Sequence, residues 1–252
     1  MGSTSDSTRD LLLSLTTGLI DKAAARRTPM RALGGIGIHL RAPQAAPALR
    51  RDFADVDLAA PRKARRQVTE VMEEAGLRPE PEFNALQGAR RQIWWMPDET
   101  THVDVFLGEF VMCHRLNLDE RFGVDHPALP AADLLLMKLQ VVELNRKDVT
   151  DTAALLATHE LGEEDENGFI NRHRVVDVLS TDWGFYTTAT DNLEKIPRLV
   201  ADMDAEVGRQ VAETAGRIRQ EVEEAPKSRG FKLRSRVGRR VRWYELPDES
   251  IT

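Results

Sequence analysis

Carboxylates set inside apolar, strand-like segments constrain this chain more than any other feature. His102-Val103-Asp104-Val105-Phe106 puts one acid between β-branched neighbours, and Asp55-Val56-Asp57 puts two acids around one valine. Side chains on a strand alternate faces, so Asp55 and Asp57 share a side and a neighbouring strand can bring Asp104 to it. Three carboxylates on one patch repel unless cations sit among them, and hard oxygen donors of this kind suit Mg²⁺ or Mn²⁺. The pattern therefore predicts a two-metal phosphoryl-transfer site. Upstream, Leu33-Gly34-Gly35-Ile36-Gly37-Ile38 offers backbone that can approach phosphates closely, because glycine has no Cβ and its N–H groups can form an anion nest. An isolated Asp-x-Asp more often ends a strand or lines a turn. The order of glycine turn, paired acids and third acid gives this one its meaning.

That order resembles the nucleotidyltransferase superfamily, whose fold is shared by DNA polymerase beta, the aminoglycoside nucleotidyltransferases and the toxin half of AbiE-like toxin–antitoxin pairs. The likeness is greatest to the AbiEii-like toxins and their bacterial relatives. These carry a Gly-Gly turn, an Arg-x-x-x-Asp-x-Asp run and an apolar-Asp-apolar strand, here Gly34-Gly35, Arg51 to Asp57 and Val103-Asp104-Val105. The resemblance spans about residues 30 to 160. It implies an α+β fold with a nucleotidyltransferase-type mixed sheet and flanking helices, followed by a mainly helical C-terminal region. It also implies that Asp55 and Asp57 hold both metals, that Asp104 completes one site and helps activate an acceptor hydroxyl, and that Gly34, Gly35 and Arg51 meet a nucleotide such as ATP. Most relatives follow Gly-Gly with Ser or Thr, whereas Ile36 stands here, and the segment from Arg41 to Arg50 is longer than usual.

Composition sets outer bounds. With 252 residues and 41% apolar content the chain can bury one substantial core or two small ones. Its one cysteine, Cys113, excludes an intramolecular disulfide and fits a reducing cytoplasm. No apolar run is long enough for a membrane span, and MGSTSDSTRD lacks a signal-peptide layout, so a cytoplasmic protein without a membrane partner is expected. A net charge of −6 argues against a general nucleic-acid-binding field. The exception is Lys227 to Tyr244, which holds eight basic residues and no acid, with Trp243-Tyr244 interleaved. Such a tail can hold RNA or dock the C terminus on the body.

Four stretches follow: a disordered start (1–10), a catalytic domain (11–126), a helical domain (127–196), and a long helix with the basic tail (197–252). Leu11, Leu12, Leu15, Leu19 and Ile20 recur at helical spacing from about Arg9. Met30 to Leu40 reads as a strand broken by a turn, Phe53 to Leu58 as the strand carrying the acids, and Pro61 to Gly76 as a helix. Glu80 to Gln87 reads as a further strand or edge, and Arg90 to Leu107 as a hairpin delivering Asp104. At most one of Trp94 and Trp95 faces the site, where it could stack on a base, and the other belongs to the core. Met112-Cys113-His114 reads as a packed cysteine beside a hydrogen-bonded histidine. Pro130 to Asn145 is apolar all round and predicts one buried helix, and Glu163 to Glu166 an acidic loop. Helices over Ile170–Leu179 and Trp183–Leu193 take Asn171 and Thr181 or Asp182 as caps. Ile196 to Ala225 reads as one long helix, whose narrow stripe of Leu199, Met203, Val207, Val211 and Ile218 packs on the body or on a partner chain.

Lys138, inside that apolar helix, is costly to bury unless it snorkels or meets an anion. The relatives carry a Lys-Leu pair whose lysine reaches the triphosphate, then an Asp-x-x-Asp opening the next helix, matched here by Lys138-Leu139 and by Asp148 and Asp151. On that likeness Lys138 binds phosphate and Asp148 and Asp151 support it. From the residues alone, Asp148 is a helix N-cap and Lys147 and Asp151 a solvated pair. The expected function is metal-dependent transfer of a nucleoside monophosphate from an NTP to a hydroxyl of tRNA, protein or a small molecule, in a toxin-like role. The alternative is an inactive nucleotidyltransferase fold that binds a nucleotide or partner. A phosphohydrolase ranks last, because only His39 and His102 lie near the acids.

Overall fold

The computed structural model describes residues 3–246. Two compact units divide the chain. One comprises the stretch up to Leu40, Arg51–Phe110 and Asn117–Leu129, and the other Arg41–Arg50, Val111–Leu116 and the chain from Pro130 on. The expected boundary at 126 lies close to that at Leu129. The second unit runs on through position 196 and also takes in 41–50 and 111–116.

The first unit is built on a five-stranded mixed sheet of β1 (Arg31–Ala32), β2 (Val56–Ala60), β3 (Arg78–Pro79), β4 (Arg91–Trp95) and β5 (His102–Leu107), in the order β1-β2-β5-β4-β3. Only β2 and β5 are parallel, and the other pairs are antiparallel. Val56, Leu58 and Ala60 on β2, Val103, Val105 and Leu107 on β5, and Trp94 on β4 join one buried cluster. The same cluster takes Leu12, Leu19 and Ile20 from α1 (Ser3–Ala25) and Val68, Val71 and Met72 from α3 (Arg65–Glu74). Alternation then sends Asp57 and Asp104 to the opposite face. The expected class, α+β with a mixed sheet, flanking helices and a helical C-terminal region, is what the chain forms.

Several local expectations are corrected. The start is helical from Ser3, so the polar first stretch is not a disordered arm, although Met1 and Gly2 lie outside the described residues. Gly34–Arg41 is a helix (α2) and not a continued strand. Its β-branched isoleucines favour a strand, but Leu33, Ile36 and Leu40 also recur at helical spacing, and burial of Ile36 and Leu33 decides for the helix. Pro81–Gln87 is likewise helical (α4), opened by Pro81. Its Asn84 amide donates to Ile93 O (2.9 Å) and accepts from Ile93 N (2.8 Å), covering β4 where a strand was expected.

Beyond Leu107, β6 (Glu109–Val111) and β7 (Arg115–Asn117) form a short ribbon. The second unit then runs α5 (Ala131–Leu139), α6 (Arg146–Thr158), β8 (Glu160–Gly162), β9 (Phe169–Asn171), α7 (Arg172–Thr181), α8 (Trp183–Ala201), α9 (Ala205–Glu224) and α10 (Arg229–Val237). The buried helix expected to Asn145 ends at Leu139. The long helix expected from Ile196 is broken, because Asp204 caps a new helix by accepting from Glu206 N (3.0 Å) and Val207 N (3.1 Å). Asn171 and Asp182 cap α7 and α8 as read from sequence. The α9 stripe of Val207, Val211, Ala215, Ile218 and Val222 is buried, with α6, α7 and α8 packed around it. That stripe is covered by this chain's own helices, while Leu199 and Met203 stay exposed.

Cys113 is buried, and His114 Nε2 lies 2.9 Å from Thr188 Oγ1 with its ring stacked on Phe185 at 5.1 Å. Burial pushes His114 and His159 below the ordinary value of 6.5, against the pull of Asp182 and Glu245 on His114 and of the Leu155 backbone on His159. The unfolded chain then takes up protons near pH 6.5 that the folded chain refuses, so these groups favour folding fully above 6.5 and progressively less as pH falls through it. The slope is roughly 1.4 kcal/mol per pH unit for each histidine. In urea denaturation, the stability lost between pH 7.5 and 5.5 is expected to be smaller in His159→Gln than in wild type. Equal losses would show that His159 does not carry this dependence.

Candidate functional site

Parallel pairing places Asp57 and Asp104 directly side by side, with Val56 opposite Val103 and Leu58 opposite Val105. Adjacent strands lie about 4.8 Å apart, so two carboxylates leave the same face at neighbouring positions. Asp55 sits half-buried at the bend before β2. The hairpin register sets Arg91 opposite Phe106 and Ile93 opposite Asp104, which puts Arg91 on the acids' face.

Arg91 grips Asp104 with both arms of its guanidinium, Nε to Oδ1 at 2.8 Å and Nη2 to Oδ2 at 2.9 Å. Phe83 and Phe106 flank it at 5.4 and 5.3 Å. His102 Nε2 approaches the same carboxylate at 3.3 Å, and its ring lies 5.2 Å from Trp95, whose indole donates to Glu80 (2.9 Å). Burial alone would raise the Asp104 carboxyl. The hydrogen bonds from His102 and Arg91 and their charges outweigh it and hold the group below the ordinary value. His102 moves up, chiefly through its hydrogen bond to Asp104 against the effect of burial, with the fields of Asp55 and Asp57 adding to the rise. Those two acids also act on Arg91. The three carboxylates thus share one electrostatic neighbourhood with an arginine at its centre.

The glycine turn lies beside them. Gly34, at φ +61, begins α2, and a Cβ on it would fall 1.9 Å from Asp57 Oδ2. A Cβ on Gly35 would fall 2.1 Å from Arg51 Nη2. The turn, Asp57 and Arg51 are therefore in contact, and both glycines are needed for that closeness. Trp95 faces this side and Trp94 is in the core, as alternation predicts.

The sequence expectation of three converging acids meets the structure as a pair in register, a third acid at the strand's entry, and Arg91 held by one of them. Among the described residues no group of three or more histidine, cysteine or carboxylate side chains is placed to hold a metal ion. With both oxygens of Asp104 on Arg91, the residues as folded do not fit the three-carboxylate Mg²⁺ or Mn²⁺ centre that the family resemblance implies. Arg91 was missed from sequence. The register that brings it to Asp104, with Trp95 opposite His102, is set by the folded hairpin and left no signal in the sequence.

Lys138, Asp148 and Asp151 belong to the other unit, where they meet one another. Lys138 Nζ lies 3.0 Å from Asp148 Oδ1 and 3.0 Å from Asp151 Oδ2. Burial pulls the ammonium down, but the charges of and hydrogen bonds to both acids outweigh it and its pKa is raised. The argument that an unpaired lysine here needs a phosphate is corrected, because the lysine is paired. Asp148 is also not the N-cap. Asn145 caps α6 in a reciprocal box with Asp148 at the third position, and Asp151 pairs with Lys138 where Lys147 was expected.

No family model and no curated protein matches this chain. Among solved structures, the antibiotic-resistance factor ANT(2'')-Ia, studied in solution, is similar at 13% identity and a TM-score of 0.41, over 58% of this chain and 83% of that one. A likeness at that level speaks to neither activity nor substrate.

Three substitutions test the geometry. Gly34→Ala forces a side chain into left-handed backbone and against the short Asp57 carboxylate, and is expected to cost about 2 kcal/mol in urea denaturation, whereas Gly35→Ala displaces only the end of the flexible Arg51 and should cost less than about 1. Equal costs would mean that Asp57 does not press on the turn. Lys138→Met strands two buried carboxylates and should cost about 3 kcal/mol or more. A neutral effect would return Lys138 to the role of a ligand-binding lysine.

Proposed function

We propose that this chain is a nucleotidyltransferase that moves a nucleoside monophosphate from an NTP to an acceptor hydroxyl. The observation that carries the reading is Asp57 and Asp104 in register on adjacent parallel strands, with Asp55 beside them and the Gly34-Gly35 turn in contact with Asp57. A sheet held by packing alone gains nothing from like charges side by side, whereas activating an acceptor hydroxyl needs a carboxylate positioned to take its proton. The sequence pattern of glycine turn, paired acids and third acid supports the same class.

In this reading the triphosphate lies along the backbone N–H groups of Gly34 and Gly35 and the guanidinium of Arg51, which match its charge. The acceptor oxygen forms a bond to the α-phosphorus as the bridging oxygen to the β-phosphorus departs with its electron pair, releasing pyrophosphate. Asp55 and Asp57 orient the acceptor hydroxyl and take up its proton. Arg91 brings positive charge to the same face and fixes Asp104. Trp95, on the site face, is positioned to stack on a base. The acceptor is RNA, a protein or a small molecule, and a toxin-like role follows only if it is RNA or protein.

The bidentate grip of Arg91 on Asp104 favours a second reading, a nucleotide-binding module whose third acid is permanently engaged. Purified protein incubated with each α-labelled NTP, with and without Mg²⁺ or Mn²⁺, alone and with tRNA or lysate, separates the two. Label transferred by wild type and reduced at least about a hundredfold in Asp57→Asn is expected. Tight NTP binding by wild type without transfer under every condition would leave the binding module.

A further inference from the structure

The basic tail carries two kinds of cation. Arg234 lies over Trp183 at 4.7 Å and donates to Gly238 O and Val241 O, and Arg239 pairs with Asp191 at 2.7 and 2.8 Å and lies over Trp243. Phe231 is buried against Tyr186, and Ser228 ties the start of α10 to Ser180 and Thr181. These contacts dock the tail within its unit. Arg229, Lys232 and Arg236, by contrast, are exposed on α10, and Arg240 follows in the next turn. No side-chain hydrogen bond, ion pair or ring contact engages any of the four among the described residues.

Their spacing puts them together. Positions 229, 232, 233, 236 and 237 fall on one stripe of a helix with 3.6 residues per turn. Three are cations and two are Leu233 (63% exposed) and Val237 (42% exposed). The opposite side is the docked side, through Phe231 and Arg234. A folded chain of net charge −6 thus fixes a row of cations outward on a helix with no acid between residues 227 and 244. Outward cations without partners among the described residues are complementary to a polyanion whose charges are themselves in a row.

We infer that the outward face of α10, continued by Arg240, is a docking surface for the phosphodiester backbone of RNA. A membrane surface fits less well. A helix lying in a lipid interface inserts aromatic and large aliphatic side chains, and here the outward face offers only Leu233 and Val237, because Phe231 is turned inward and Trp243 is held by Trp183 and Thr188. The choice of RNA over DNA rests on the transfer reading, because a ribose terminus offers two hydroxyls where deoxyribose offers one. The deep groove of an A-form helix closes base edges to side chains, so these cations meet phosphates and contribute affinity and placement.

The test is fluorescence anisotropy of labelled tRNA with full-length wild type, Lys232→Gln/Arg236→Gln/Arg240→Gln, and Asp55→Asn/Asp57→Asn, across a salt series. Wild type should bind with affinity that falls steeply with salt. The triple variant, altered only at exposed positions and checked for an unchanged melting temperature, should lose about tenfold or more. Its log–log salt slope should shrink by roughly 2 to 3, since each phosphate contact contributes about 0.7 to 0.9. The Asp55/Asp57 variant removes no cation and should keep the wild-type salt slope, so a loss of transfer there cannot be mistaken for a loss of docking. Equal binding by wild type and triple variant overturns the inference. So does duplex DNA of matched length bound as tightly as tRNA, and so does binding to phosphatidylserine vesicles without binding to tRNA.

Discussion

Two carboxylates in register on adjacent parallel strands cannot both stay ionised at close range without a counter-charge, and the first unit is arranged around that constraint. Arg91 answers it from the neighbouring strand by taking both oxygens of Asp104. The hairpin of β4 and β5 sets the register that makes the grip possible, and Phe83 and Phe106 hold the guanidinium in place. On the other face of the same strands, the valines of β2 and β5 bury against α1 and α3. Moving either strand by one residue would exchange the two faces and drive the acids into the core, so burial and site placement are one condition.

The glycine turn adds a second constraint. A helix that starts at positive φ, with a carboxylate pressed on its first residue, leaves no room for a side chain there, and at the second only what the flexible Arg51 yields. Asp57 thus sits at the positive end of α2 as well as beside Asp104, and the helix field offsets part of the repulsion between the acids.

In the second unit the same physics serves stability. Lys138 lies between Asp148 and Asp151, and Arg174 reaches Asp133, which is fully buried (2.9 Å). Each buried charge has its opposite within hydrogen-bond reach, which is what allows α5 and α6 to be buried at all. The α9 stripe, which sequence alone left open to a partner chain, closes on α6, α7 and α8.

How much was legible depends on the range of the signal. Alternation is a two-residue property, so Val103-Asp104-Val105 and Asp55-Val56-Asp57 declared their faces from sequence, and Trp94 and Trp95 divided between core and site as it required. Caps are equally local, and Asn171 and Asp182 stand where they were read, although Asn145 was missed and Asp204 turned one expected helix into two. The glycine and isoleucine run at 34–41 was misread because its β propensity and its helical spacing compete, and only packing settles the competition. What no local pattern contains is which oppositely charged side chain will reach a given acid. Arg91 on Asp104 is set by strand register, and Lys138 between Asp148 and Asp151 by the packing of α5 on α6. The sequence by itself determined that acids would gather on one face of a sheet, because the period of a strand is fixed by covalent geometry. Tertiary structure alone decided which cations would meet them, because pairing across elements depends on where the packed core sets each backbone.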